Sequence, residues 1–212
     1  GGLLGLLFKN LLTKSMEDTL LKASSVCVLF IGIGGAMSQM LKITDGALIT
    51  SGSMMLIICF VLGGLVGELL NIEGAFERFG AWLRKKTHNE SDSGFLSGFI
   101  HASLTVCIGA MAIVGSIQDG LLGDASLLCA KAALDAVIIL VMTASMGKGC
   151  IFSAIPVAIL QGSVTLLSRV IAPVMTDAAI ASLSFTGSVM IFCVGVNLIW
   201  GKTIKVANLL PT

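Results

Sequence analysis

Charge is what this sequence has least of. Asp, Glu, Lys and Arg make up 12% of the 212 residues, against 56% hydrophobic. Soluble domains carry about a quarter charged residues, so the chain reads as a polytopic membrane protein and not as a globular enzyme with a large core. The formal net charge of +1 offers nothing to nucleic acid. The six cysteines (Cys27, Cys59, Cys107, Cys129, Cys150, Cys193) are scattered among the apolar segments with no CxxC and no pairing to histidine. That spacing suits neither a zinc site nor a disulfide framework, and small buried hydrophobes are the plain reading. GxSxG, HExxH and a recognisable pair of catalytic carboxylates are missing as well. Gly147-Lys148-Gly149 lacks both the GxxxxGK[ST] spacing and the flanking strand of a phosphate loop. No enzyme and no cofactor are expected, and no metal can be assigned.

What the chain does have is length of apolar run. A helical span needs about 20 apolar residues at 1.5 Å rise, and six segments qualify: Ser25 to Leu41, Ala47 to Leu70, Phe95 to Ile117, Leu121 to Ala144, Cys150 to Leu167 and Ala178 to Trp200. These runs do not alternate as barrel strands would. The expected fold class is all-α, a polytopic integral membrane helix bundle forming one domain over residues 1–212. The opening text GGLLGLLF, Gly1 to Phe8, recurs as Gly63-Gly64-Leu65-Val66-Gly67, the inner half of a full span. Gly1 to Phe8 is therefore expected to be the inner half of a first span, giving about seven in all, and to pack beside Gly63 to Leu70.

The same recurrence suggests internal repeats. One copy runs from Gly1 to Gly32, a second from Gly63 to Gly109, and a weaker third from Gly162 to Gly195. The extra span Leu121 to Ala144 would invert the third copy, and inverted repeats around a polar helix are a hallmark of secondary transporters. Leu11 to Lys22 and Ile72 to Lys86 mix apolar and charged residues on a helical period, as helices lying in the headgroup plane do. Glycine is abundant, often paired or spaced as at Gly63, Gly64 and Gly67. Such small faces let helices approach closely, within one chain or in a homo-oligomer.

Orientation follows from the basic residues. If the first span runs outside to inside, one side receives Lys9, Lys14, Lys22, Arg78, Arg84, Lys85, Lys86, Lys148, Lys202 and Lys205, and the other only Lys42 and Arg169. The positive-inside rule then puts the amino terminus outside and the carboxyl terminus in the cytoplasm. The loop Arg84 to Gly94, with its Asn89-Glu90-Ser91 sequon, is expected to be cytoplasmic and not glycosylated.

The candidate site lies in the stretch His101 to Ala136. Ser116, Gln118, Asp119 and Asp124 form a polar hairpin, and Lys131 and Asp135 sit inside the following apolar segment. Ionisable groups at membrane depth face a partner or a water-filled path and mark functional sites. Counted from Leu121, Lys131 lies roughly 15 Å down its span, near mid-bilayer. Asp124, Lys131 and Asp135 share one helical face. The functional reading is a polar track in which Lys131 binds an anionic group or Asp135 carries a proton or cation; the structural one is a self-neutralising ion pair. Asp119 and Asp124 are either an oxygen-rich entrance or solvated turn residues. Pro156, in a span with Ser153, Gln161 and Ser163, either breaks its helix to build an ion site or sits among helix-joining hydrogen bonds, and Gln161, Asn197 and Asn208 share that choice. His101 reads as a packing residue, and Glu68 as a side chain reaching the interface.

Gly109 to Asp124 (GAMAIVGSIQDGLLGD), Lys131 with Leu134-Asp135, Ser153-Ala154-Ile155-Pro156-Val157 with Gln161-Gly162, and Ile204 to Pro211 (IKVANLLP) together resemble the bacterial family catalogued as domain of unknown function 554, the YqgA/YdfK type. The resemblance covers nearly the whole chain. It departs at the upstream half of the first helix and just after the LLP motif. It implies a prokaryotic inner-membrane protein of about seven spans, with no settled biochemical activity to carry over.

Embedded in the lipid bilayer, the chain is expected to be a permease or small secondary transporter for a small polar or charged solute or ion. Its pathway would be lined by Ser116, Gln118, Asp119, Asp124, Lys131, Asp135, Gln161 and Asn197. The alternatives are an oligomeric ion channel with acidic selectivity and a non-transporting scaffold or sensor.

Overall fold

The fold, taken from a computed structural model, is described for residues 1–9, 13–44, 46–88, 94–107 and 110–212. Helices dominate, because long apolar runs without water must satisfy their backbone internally. Five of them are long and apolar enough to cross a membrane: Leu21–Met40 within α2 (Lys14–Met40), α3 (Ser53–Leu70), α7 (Ser126–Met146), Lys148–Leu166 and α10 (Asp177–Trp200). The pair α5 (Phe95–Cys107) and α6 (Ala110–Leu122), whose axes meet at 58°, passes the same test together and makes a sixth if it is counted as one broken span. All six apolar segments are thus accounted for. The segment Phe95 to Ile117, expected as one straight span, is two helices. The sequon Asn89-Glu90-Ser91 falls outside the described residues.

Three expectations need correction. The chain is not wholly helical: β1 (Leu41–Thr44) and β2 (Ala47–Thr50) form an antiparallel hairpin pairing Leu41 with Thr50 and Thr44 with Ala47. β-Branched residues at Ile43, Thr44, Ile49 and Thr50 favour strands, and Gly46 takes the positive φ of 77° that the turn requires. Ala47 to Thr50 therefore lies outside the span to which its hydropathy assigned it. Leu11 to Lys22 is not a separate surface helix either. From Lys14 it is the first turns of α2, begun by Thr13, whose hydroxyl accepts the Met16 N–H, and carrying an exposed Lys22–Asp18 ion pair of 2.7 Å. Thirdly, α1 (Gly2–Lys9) is a helix ending at Lys9 as expected, but it packs on α7 and not beside Gly63 to Leu70. A Cβ on Gly5 would sit 2.5 Å from the Leu140 carbonyl.

Small residues set the closest approaches. α2 and α10 pack along much of their length: a Cβ on Gly32 would lie 2.5 Å from the Phe192 nitrogen, and one on Gly195 2.8 Å from Leu29. The centre of the molecule is α5, which is almost entirely buried, with Phe95, Phe99, Ile100, Ala102 and Leu104 in the hydrophobic core. Against it lies a 3₁₀ turn, Lys148–Ser153, admitted because Gly149 meets the Phe95 backbone where no side chain fits. Gly147, at φ 94°, ends α7 and starts this turn, and α8 (Ala154–Leu166) follows. Pro156 is consequently in the first turn of α8, where its missing N–H costs little. It is not the break; the irregular backbone lies upstream of it.

α4 (Ile72–Lys86) starts at Asn71, whose left-handed backbone caps α3 and whose side chain accepts the Gly74 N–H. It packs through Gly80 on Leu96 and Phe99 and stacks Phe79 on an outward-facing Trp82. A short helix, α9 (Ser168–Ile171), and a 3₁₀ turn lead into α10. Beyond α10 the chain turns at Gly201 and folds back along α3, burying Val206, Ala207 and Asn208. Gly63 and Gly67 face Thr212 and Asn208 of this tail. Their small surfaces receive the chain's own tail, not the first helix.

Candidate functional site

Lys131 is fixed by two helices. On α7, which starts at Ser126, it sits five residues in, or about 7.5 Å along the axis. That is in the first third of the helix, nearer its start than a count from Leu121 gives, because Leu121 and Leu122 still belong to α6. Its side chain is buried, and Nζ donates to the Val106 carbonyl at 2.8 Å and to the Asp135 carboxylate one turn on. Val106 lies in the last described turn of α5, so the ammonium meets main chain close to where the two helices of the bent pair part.

Asp135 is half-buried and lines a cavity of about 570 Å³ with Val106, Ala132, Ser153, Val157 and Gln161. The Ser153 hydroxyl donates to the Cys150 carbonyl at 2.7 Å, tying off the 3₁₀ turn. Gln161, distant in sequence, is therefore gathered with the neighbouring pair Lys131 and Asp135 where α7, α8 and the end of α5 meet.

The other expected residues stand elsewhere. Asp124 is exposed in the turn before α7, and its Oδ1 accepts the Ser126 N–H at 2.9 Å. Hydrogen bonds from the Ser126 side chain and backbone hold Asp124 below the ordinary carboxylate value. It caps the helix and is not a third member of a charged line, because the chain leaves helical geometry between Asp124 and Ser126. Ser116 is fully buried and spends its hydroxyl on Ala112 O at 2.6 Å. Gln118 and Asp119 are half-buried on the last turns of α6 and do not line the Asp135 cavity.

Asn197 is at the opposite end of the molecule from Asp124, as a clasp. Its Oδ1 accepts the Thr203 N–H, the Thr203 hydroxyl and the Ile204 N–H at 2.9 to 3.0 Å, and Nδ2 donates to Ile204 O at 2.7 Å. The amide holds the reversal that returns the tail, so Asn197 does not join the Lys131 track. The same end holds Glu73, which sequence reading passed over, together with Glu68 and Asn208, which it read as an interfacial side chain and a helix-joining amide. Glu73, buried on α4, accepts the Ala207 N–H at 3.0 Å and an ion pair from Lys202 at 3.2 Å, while its own N–H donates to Asn208 Oδ1 at 2.7 Å. Glu68 accepts from Asn208 Nδ2 at 2.6 Å and from Lys205 at 2.5 Å. The usable signal was the Glu73 and Glu77 pair, one turn apart beside the apolar stripe of an amphipathic helix. Among the described residues, no three His, Cys, Asp or Glu side chains are placed to hold a metal ion.

Comparison with known proteins agrees with this architecture. Residues 1–212 match the family described as protein of unknown function DUF554. The chain is 26% identical over 212 residues to the "Uncharacterized membrane protein YdfK" of Bacillus subtilis (strain 168), covering all of this chain and 86% of that protein. It is also 26% identical over 163 residues to the "Uncharacterized protein YqgA" of Escherichia coli (strain K12), covering 74% of this chain and 68% of that one. No solved structure matches significantly. With a family match running its whole length, this membrane protein belongs to the DUF554 family.

Proposed function

We propose that the protein is a permease of the cytoplasmic membrane, not an enzyme, moving a small polar or charged solute past Lys131 and Asp135. The observation that carries this reading is a buried lysine bonded to the main chain near the bend of a helix pair, beside a cavity that presents Asp135, Ser153 and Gln161. Discontinuous helices supply backbone charge at membrane depth, and transporters use such ends to hold solutes and coupling ions. An ion pair kept only for stability would be replaceable by apolar residues at no loss, which gives architecture alone a weak claim on it. In this reading α1, about 12 Å long, counts as half of a seventh span. The carboxyl terminus is cytoplasmic, and the third, inverted copy begins at Gly162, directly after the cavity-lining Gln161. Solute counterflow in proteoliposomes, run with small labelled anions, cations and zwitterions, tests the proposal. Exchange that Asp135→Asn abolishes supports it; folded protein that exchanges none of them overturns it.

A further inference from the structure

A second cavity, of about 450 Å³, lies at the end of the molecule where α4 meets the turn after α10. Its polar lining is Glu73, Glu77, Ser97, His101, Asn197 and Lys202, and its walls are apolar, with Ile100, Leu104 and Val194 among them. His101 is nine-tenths buried, and its Nδ1 faces the Ser97 carbonyl at 2.8 Å. A carbonyl only accepts, so Nδ1 carries the hydrogen and Nε2 keeps a lone pair. Asn197 has its oxygen committed to the Thr203 and Ile204 backbone. What the cavity offers a visitor is therefore acceptors: two carboxylates and an imidazole nitrogen. Among the described residues that line the cavity the one cation is Lys202, which is half-exposed, hangs from a loop and bridges Glu73 and Glu77.

We propose that this cavity binds a small primary ammonium ion bearing an apolar body, and that Lys202 is a tethered occupant of the position its ammonium group would take. An alkylammonium has three donors for the three acceptors, and its chain matches the apolar walls in a volume ordinary for small-ligand sites. A carboxylate or phosphate would meet two like charges, and a bare ammonium would leave the walls unfilled. The site is separate from the Lys131 cavity, and binding there does not depend on transport.

Calorimetric titration of the detergent-solubilised full chain with n-butylamine tests this, with butyrate and methylamine as controls. Butylamine should bind more tightly than methylamine, and butyrate should not bind. Lys202→Ala frees the carboxylates and should tighten butylamine binding at least about threefold. Glu77→Gln, at a half-exposed position that shares Lys202 with Glu73 but none of the backbone contacts of Glu73, should weaken it about tenfold. Should Lys202→Ala fail to fold, Glu77→Gln decides alone. Asp135→Asn should leave the affinity unchanged, which separates this site from the proposed transport path. Butyrate binding as well as butylamine, or a butylamine affinity unmoved by Glu77→Gln, overturns the proposal.

Discussion

Lys131 has two partners of different kinds, and each kind predicts a different outcome when it is changed. Lys131→Met leaves the half-buried Asp135 charge and the Val106 carbonyl without their donor. Asp135→Leu leaves a buried ammonium with one neutral acceptor. Breaking a buried pair from one side costs about 3 to 5 kcal/mol, whereas replacing both members with apolar residues is often tolerated. Each single variant should therefore lower the melting temperature in detergent, and Lys131→Met with Asp135→Leu should recover most of the loss without restoring counterflow. Normal counterflow in the double variant would leave the pair purely architectural. The i,i+4 spacing made this pair legible in the sequence. The Val106 carbonyl was not, since it comes from another helix, 25 residues upstream. Lys202 makes a separate, pH-dependent prediction. Partial burial pulls its pKa down, but hydrogen bonds and charge from Glu77 and Glu73 outweigh that and raise it. A raised lysine contributes stability that is complete below its ordinary value, about 10.4, and is lost as pH climbs through the higher folded value. The wild-type melting temperature should fall above that range by more than that of Lys202→Arg, whose guanidinium does not deprotonate.

At the scale of elements, the six spans could be read from apolar length alone, because a bilayer rewards length and little else. What could not be read was how the elements meet. The bend between α5 and α6 lies in unbroken apolar text. The tail IKVANLLPT is too short and too mixed to look buried, and what buries it are carboxylates and an amide more than a hundred residues upstream or on α10, Glu68, Glu73 and Asn197. The tail's seat on α3 can be tested through glycine. A Cβ on Gly67 would collide with the Asn208 backbone, whereas one on Gly34 of α2 meets nothing within 4 Å. Gly67→Ala should lower the melting temperature and open the tail to carboxypeptidase digestion, and Gly34→Ala should be neutral or slightly stabilising, in keeping with alanine's better helix propensity. Equal effects from the two substitutions would mean the tail is not held on α3.

For the whole molecule, the question is which way it sits in the membrane, and here the fold sharpens what charge counting suggested. Followed in order, α2, α3, the bent pair, α7, α8 and α10 cross alternately. The β-hairpin with Lys42, the α6–α7 turn with Asp124 and the short α9 with Arg169 then share one end. The other end collects α4, the 3₁₀ turn with Lys148 and the reversal with Lys202 and Lys205. Basic residues crowd that second end, and Lys/Arg-rich ends of short loops stay in the cytoplasm. The hairpin is a useful reporter because Lys42 and Ile43 are exposed on it, and Lys148 is an equally exposed one at the opposite end. In a background with the six native cysteines replaced, Lys42→Cys should react with a membrane-impermeant maleimide in intact cells, while Lys148→Cys should react only after the membrane is opened. Because both probes lie on short connections close to a span end, a reversed result for the two together would invert the whole molecule, not one helix. It would place the Lys202 cavity, and any ammonium ligand it takes, on the outer face.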